Sequence, residues 1–275
     1  MPLPKPPLPN LPNLPALADL PHLPGRLAQL RDAATKTGDK SHPDTPGEDP
    51  GTDGRTTRWD QHKAERREKI LGAAIDLIER EGEATGVQAI ATSAGVPRSV
   101  VYRIFTDRAD LDEQIRVRIT EHLMLELAPA LEPRGTVRGG IDHAVTTYVG
   151  WVRDHPRLHA FLGAGVSGTN GSAALSSTRL AIGLTIAHLI EAMATHFDQD
   201  VVLADTVAFS IVGLVDGAVN RWTSQEQPRV GGAQVTAFLC DAVWDMLSQA
   251  ANRLGVTLDP DTVIGDVLPT NPPTD

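Results

Sequence analysis

Apolar residues recur along this chain with helical spacing. Ile70, Ala74, Leu77 and Ile78 follow i, i+4, i+7, i+8 order in a run that starts near Trp59 and is stopped by Gly82. A short segment from Thr85 to Ala94 sets Val87, Ile90 and Ala91 on one face. Gly95-Val96-Pro97 then predicts a turn, with proline suited to the first position of a new helix from Arg98 to Phe105. Thr106-Asp107 offers an N-cap to a longer helix, in which Leu111, Ile115, Ile119, Leu123 and Leu127 form one stripe to about Leu131. Further helical runs cover about 136–154, 156–164, 173–197, 203–225 and 232–254. No segment alternates with the two-residue period of a strand. The pattern predicts an all-α fold of about nine helices.

The ends read differently. Nine of the 21 prolines fall in the first 24 residues, and Thr35 to Thr57 is Gly, Pro, Asp and Thr with almost nothing apolar. Residues 1–54 are therefore expected to be a disordered proline-rich tail and linker, with polyproline II stretches that could dock a protein partner. Residues 259–275 are expected to form a flexible C-terminal tail. The N-terminus lacks the apolar core of a secretory signal, and no uninterrupted run of about 18 apolar residues exists, so no membrane partner is expected. Cys240 is the only cysteine, which excludes an internal disulfide and fits a reducing, cytoplasmic location.

The net charge of −10 speaks against a polyanionic partner until it is divided along the chain. Residues 1–54 carry −2, residues 55–108 carry +2, and residues 109–275 carry −10. The bases of the middle segment crowd at its start, at Arg55, Arg58, Lys63, Arg66, Arg67 and Lys69. An acidic body with one basic edge can steer toward nucleic acid, although a charge run also suits a solvated helix face.

The segment IATSAGVPRSVVYRIF (90–105) supplies the chemistry for that edge. Two short helices joined by a glycine turn make a helix-turn-helix, whose second helix can enter a major groove. Ala91 and Ala94 permit a close crossing, and Val101 and Phe105 face inward. Arg98, Ser99, Val100, Tyr102 and Arg103 are then left outward or at the edges, as groove and phosphate contacts. IATSAGVPRSVVYRIFTDRADL resembles the DNA-binding signature of the TetR family of bacterial transcriptional regulators, over about residues 60–111. The resemblance implies that Tyr102 and Arg108 contact phosphate, and that Pro97, Arg98, Ser99, Val100 and Arg103 approach bases. It also implies that Thr85 caps the preceding helix and reaches a phosphate. The chain departs from the family pattern in carrying Ile104 where histidine is common and Pro97 where serine is common. On this basis residues 55–108 are a three-helix DNA-binding domain, and 109–258 are a helical ligand-binding and dimerisation domain.

Other constellations are weaker. GAGVSG (163–168) matches G-x-G-x-x-G but follows a helical segment instead of a strand, and so reads as an inter-helix loop. His155 and His159 lie four apart without a third ligand nearby, so no metal and no cofactor are expected. Asp216 interrupts the apolar stretch AFSIVGLVDGAVNRW and reads as a semi-buried carboxylate paired with Arg221, as a helix cap, or as a ligand contact. Tyr148, Trp151, Phe161 and Phe209 suit either core packing or, with His188 and Asp216, the walls of a cavity. The resemblance implies such a cavity, for a small hydrophobic effector.

The helices at 203–225 and 232–254 carry apolar stripes wide enough for a two-fold interface around Gly213, Gly217, Phe238 and Val243, or for one subunit's core. The reading is a ligand-responsive regulator, a repressor, binding near-palindromic double-stranded operator DNA as a homodimer and released by a small hydrophobic effector. The alternative is a small-molecule-binding or scaffold protein with a vestigial helix-turn-helix and a partner-docking tail. No nucleophile, metal cage or phosphate loop supports an enzyme.

Overall fold

The computed structural model describes residues 54–82, 84–164, 173–197, 202–225 and 227–267. Ten helices form among them: α1 (Gly54–Glu81), α2 (Val87–Ser93), α3 (Arg98–Ile104), α4 (Arg108–Ala130) and α5 (Val137–Asp154), then α6 (Pro156–Ala164), α7 (Ala173–His196), α8 (Ala204–Thr223), α9 (Gly232–Arg253) and α10 (Ile264–Val267). Nine match the predicted runs, and the tenth is a single turn within the expected C-terminal tail. The proline-rich segment 1–53 lies outside the described residues.

The first three helices share one small core. Ile70, Ala74 and Ile78 of α1 meet Ile90 and Ala91 of α2, Val101 of α3 and Phe105 just past it, all at most 1% exposed. The turn between α2 and α3 follows from Gly95, whose φ of 63° lies where an L side chain is strained. Its N–H donates to Thr92, and that of Val96 donates to Ala91, which satisfies the last carbonyls of α2. Pro97 sits one place earlier than expected, as the N-cap of α3 with extended ψ of 144°. Asp107 caps α4 by accepting from the Asp110 N–H at 2.8 Å.

Helix α4 joins this core to the rest of the molecule. Its stripe from Leu111 to Leu127 is buried throughout, against α1, α5, α6 and α7. Helices α7 and α8 make the most extensive contact in the fold, with α9 packed on α5 and α8. Their approach depends on Gly183, where an added Cβ would lie 2.6 Å from the Phe209 ring.

Two expectations change. Residues 259–267 are not a loose tail. Val263 bridges Thr136, the Ile264 N–H donates to Gly135 at 2.8 Å, and the Val137 N–H donates to Thr262 at 3.0 Å. These bonds serve backbone groups at the start of α5, a use of this segment that hydropathy does not reveal. In addition, α7 contains an 18-residue window of mean hydropathy 1.4 and is long and apolar enough to cross a membrane by composition. Its apolar surface here packs on α4 and α8 and lines internal voids.

Candidate nucleic-acid interface and internal cavity

Val101 and Phe105 anchor α3 from below, and the opposite face is therefore presented to solvent. Arg98, Ser99, Tyr102 and Arg103 are exposed on α3, as is Pro97 before it, and Val100 is half-buried. Arg98 donates to the Tyr102 hydroxyl at 3.2 Å, with its guanidinium 5.4 Å from the ring centroid. The pairing holds two long side chains one helical turn apart in a shared orientation. Lys63, Arg66 and Lys69 are exposed on α1, and Arg55 and Arg58 lie on its first turns. The Lys69 amino group comes within 3.7 Å of where a Cβ of Gly95 would stand, which brings a cation to the turn itself.

Three neighbouring residues serve the scaffold instead. Thr85 is 6% exposed, and its hydroxyl donates to the Gly82 carbonyl at 2.8 Å. The hydroxyl is thus engaged at the end of α1, as expected of a cap, and is turned away from the surface where a phosphate would approach. Arg108 donates to both carboxylate oxygens of Asp112 at 2.8 Å and to the Thr85 carbonyl at 2.7 Å. Its Nε is thus used within α4, and its Nη1 ties the segment before α2 to α4. Arg67 lies over the Phe105 ring and donates to Gln114 of α4, so part of the basic edge is structural.

A second site lies among α4, α5, α7 and α8. Leu123, Leu127, Ile182, Ile186 and Val212, with Tyr148, Thr178, Arg179 and Asp216, line a partly open, mainly apolar void of about 110 Å³. Arg179 donates to Asp216 at 2.8 Å, and the Tyr148 hydroxyl stands 3.5 Å from the other carboxylate oxygen. Burial, reinforced by the Asp216 charge, pushes the Tyr148 phenol above its usual range and keeps it protonated. Asp216 is therefore half-buried as expected, but its partner is Arg179 on α7. Arg221 is five residues along α8, on another side of the helix.

The other expected cavity residues separate. Trp151 is buried against the His155 ring, and Phe161 lies under the Arg116 guanidinium. Phe209 covers Gly183 from outside, at 38% exposure. His188 is half-buried on α7 and borders neither this void nor the adjoining one. Aromatic content signals burial without saying which void, and the cavity wall is largely aliphatic. Arg179 was missed. His159 is 7% exposed within the field of Asp216 and Arg179, and burial lowers its pKa from the ordinary 6.5.

That burial predicts a pH effect. With its folded pKa depressed, His159 contributes no penalty above pH 6.5, and stability falls as pH drops below that value because the unfolded chain takes up the proton more readily. Urea unfolding at pH 7.5 and 5.5 should show a smaller acid-side loss for His159→Gln than for the unmodified chain. Equal losses would show that this ring does not contribute.

The proposed interface residues also divide. Gly213 and Gly217 face open space, with nothing within 4 Å of an added Cβ, and Phe238 is 63% exposed. Phe209, four residues before Gly213 on α8, is partly exposed while its ring packs on Gly183. Val243 is 4% exposed and lines a void with Val137, Ile141 and Leu247, so it belongs to the protomer's interior. It lies five residues beyond Phe238, on the opposite side of α9. Cys240 is also buried, which pushes its thiol up to about 11. The glycine-rich segment 165–172 lies outside the described residues. Among the described residues no group of three or more His, Cys, Asp and Glu is placed to hold a metal.

Comparison with known proteins places these features. The model for the tetR family of bacterial regulatory proteins matches residues 70–115, from the middle of α1 into α4. An uncharacterised HTH-type transcriptional regulator of Mycobacterium tuberculosis is 28% identical over 197 residues, which cover 71% of this chain and 83% of that protein. In fold, the chain is similar to a tetR-family transcriptional regulator from Streptomyces coelicolor, with a TM-score of 0.56 and 21% identity over 74% of this chain and 88% of the other. It is also similar to a TetR-like transcriptional regulator from Rhodococcus, with a TM-score of 0.50 and 22% identity over 66% and 95% of the two chains.

Proposed function

We propose that this chain, which matches the model for the tetR family of bacterial regulatory proteins over residues 70–115, is a cytoplasmic, ligand-responsive repressor of that family. It binds a near-palindromic operator as a homodimer and leaves it when a small apolar effector fills the internal cavity. The observation that carries the reading is the solvent face of α3, where Arg98, Ser99, Tyr102 and Arg103 stand exposed on a helix anchored by Val101 and Phe105. A seven-residue helix contacts only a few base pairs, so two copies related by a two-fold axis are needed for an operator. The exposure of Gly213 and Gly217 on α8 and of Phe238 on α9 supports a four-helix interface between protomers.

Coupling between cavity and DNA runs through α4 and α6. Both pack on α1, while α7, which lines the cavity, packs on α4. Arg157 at the start of α6 donates to the Glu79 carbonyl at 3.0 Å and to that of Arg80, at the end of α1. Displacement of α6 would therefore tilt the DNA-binding unit. Effector and operator must then weaken each other's binding by the same factor.

Selection of bound sequences from a random duplex pool tests the proposal. A palindromic consensus should emerge, with affinity falling steeply as salt rises. Arg98→Ala should cost about 10- to 100-fold on the consensus and little on random DNA, because it removes a base contact. Tyr102→Phe should weaken both alike, as expected of a phosphate contact. Failure to enrich any sequence would favour the scaffold alternative, and equal effects of both substitutions on both DNAs would remove the base-reading role of Arg98.

A further inference from the structure

Three voids follow one another along α7. The first borders Leu175, Thr178, Ile182 and Ile186, and the second borders Ile186, Ile190 and Met193. The third borders Ile190, Met193 and Phe197. Their volumes are about 110, 130 and 60 Å³, and each shares wall residues with the next. From Leu175 to Phe197 the helix rises roughly 33 Å at 1.5 Å per residue, so together the voids trace a long, narrow path. Its middle and far portions are walled by apolar side chains, apart from Glu132 at the middle void. Polar side chains gather at the near end.

That end is unequal in donors and acceptors. Asp216 receives Arg179 on one oxygen and faces the Tyr148 hydroxyl with the other. Arg179 Nε is buried and has no hydrogen-bond partner, although the side chain as a whole is 34% exposed. Arg179 nevertheless lines the void and gives Asp216 only one of its two Nη groups, so the other can donate to a ligand oxygen. The guanidinium charge is already neutralised by Asp216, so an incoming carboxylate would meet a second carboxylate at short range. A neutral carbonyl meets no such repulsion.

We propose that the effector is a long-chain aliphatic molecule with a neutral carbonyl head group, a ketone or ester, whose oxygen accepts from Arg179 while its chain extends along α7. This rests on the reading of the cavity as the effector site. Asp216 acts as the selectivity residue, because it sets the charge that the head group encounters.

Titration calorimetry on the full chain without DNA tests this, using a thirteen-carbon methyl ketone, a seven-carbon methyl ketone and the thirteen-carbon carboxylate. The long ketone should bind at least tenfold tighter than the carboxylate, and on the order of a hundredfold or more tighter than the short ketone, since each buried methylene contributes roughly fourfold. Asp216→Asn, nearly isosteric, should reverse the preference toward the carboxylate, and Arg179→Met should abolish any discrimination between head groups. A wild-type preference for the carboxylate, a chain-length effect below tenfold, or no binding of any probe would each overturn the proposal. Operator release is measured separately. Tight ketone binding that leaves the operator bound would refute the effector role while leaving the ligand class standing, and release by unrelated molecules alongside ketone failure would do the converse.

Discussion

Phe105→Ala is expected to remove about 3–5 kcal/mol of stability, a large part of the ~5–15 kcal/mol that holds an ordinary domain together. Phe105 is 1% exposed where α3 ends, and Arg67 lies 5.4 Å over its ring. The substitution opens a cavity under the exposed helix and leaves the Arg67 guanidinium without the surface on which it rests. Operator binding should be lost together with α3's fixed orientation, even at temperatures where α4 to α9 remain folded. Phe105→Leu keeps most of the volume and should cost much less, roughly 1–2 kcal/mol. Urea unfolding followed by circular dichroism gives both numbers. A loss below 1 kcal/mol for the alanine variant would mean that this ring is not what holds the unit together.

Gly217→Leu is expected to separate the protomers while leaving each one as stable as before or more so. An added Cβ at Gly217 meets nothing within 4 Å, so the protomer can accept the side chain. Replacing an exposed helical glycine also favours the helix by roughly 1 kcal/mol. Across a two-fold axis, however, the same leucine occurs twice at a point of close approach. Sedimentation should show a monomer, with operator affinity reduced at least a hundredfold because one recognition helix binds without its mate. Phe238→Asp should act alike by placing two carboxylates in the interface. A Gly217→Leu protein that still sediments as a dimer with unchanged operator affinity would move the interface to another face.

The DNA-binding unit was legible because its determinants are local. Gly82, Gly95 and Asp107 mark helix ends by backbone conformation and capping, which depend on a few neighbouring residues. The spacing of Ile70, Ala74, Ile78, Val101 and Phe105 then leaves few ways to bury them, and all are at most 1% exposed. The exposed set on α3 follows by subtraction. The cavity was less legible for the opposite reason. Of six residues expected there, Tyr148 and Asp216 line the void described and His188 borders none of the voids along α7, while Trp151, Phe161 and Phe209 pack elsewhere, since an aromatic side chain satisfies its need for burial against any apolar neighbour.

By itself, then, the sequence determined the all-α class, the order of the long helices and most of their limits, though not the start of α1 at Gly54, and the side of α3 that faces solvent. These are consequences of periodicity and capping, both short-range. Only the tertiary structure decided that Asp216 pairs with Arg179, 37 residues away on another helix, and that Arg108 reaches from α4 to the Thr85 carbonyl. It also decided that Val243 is interior while Phe238 and Gly217 stand exposed, and that residues 259–267 close over the start of α5. Each of these depends on which helix lies against which. A stripe on one helix shows that a face will be covered, and the choice of cover is made by the whole fold.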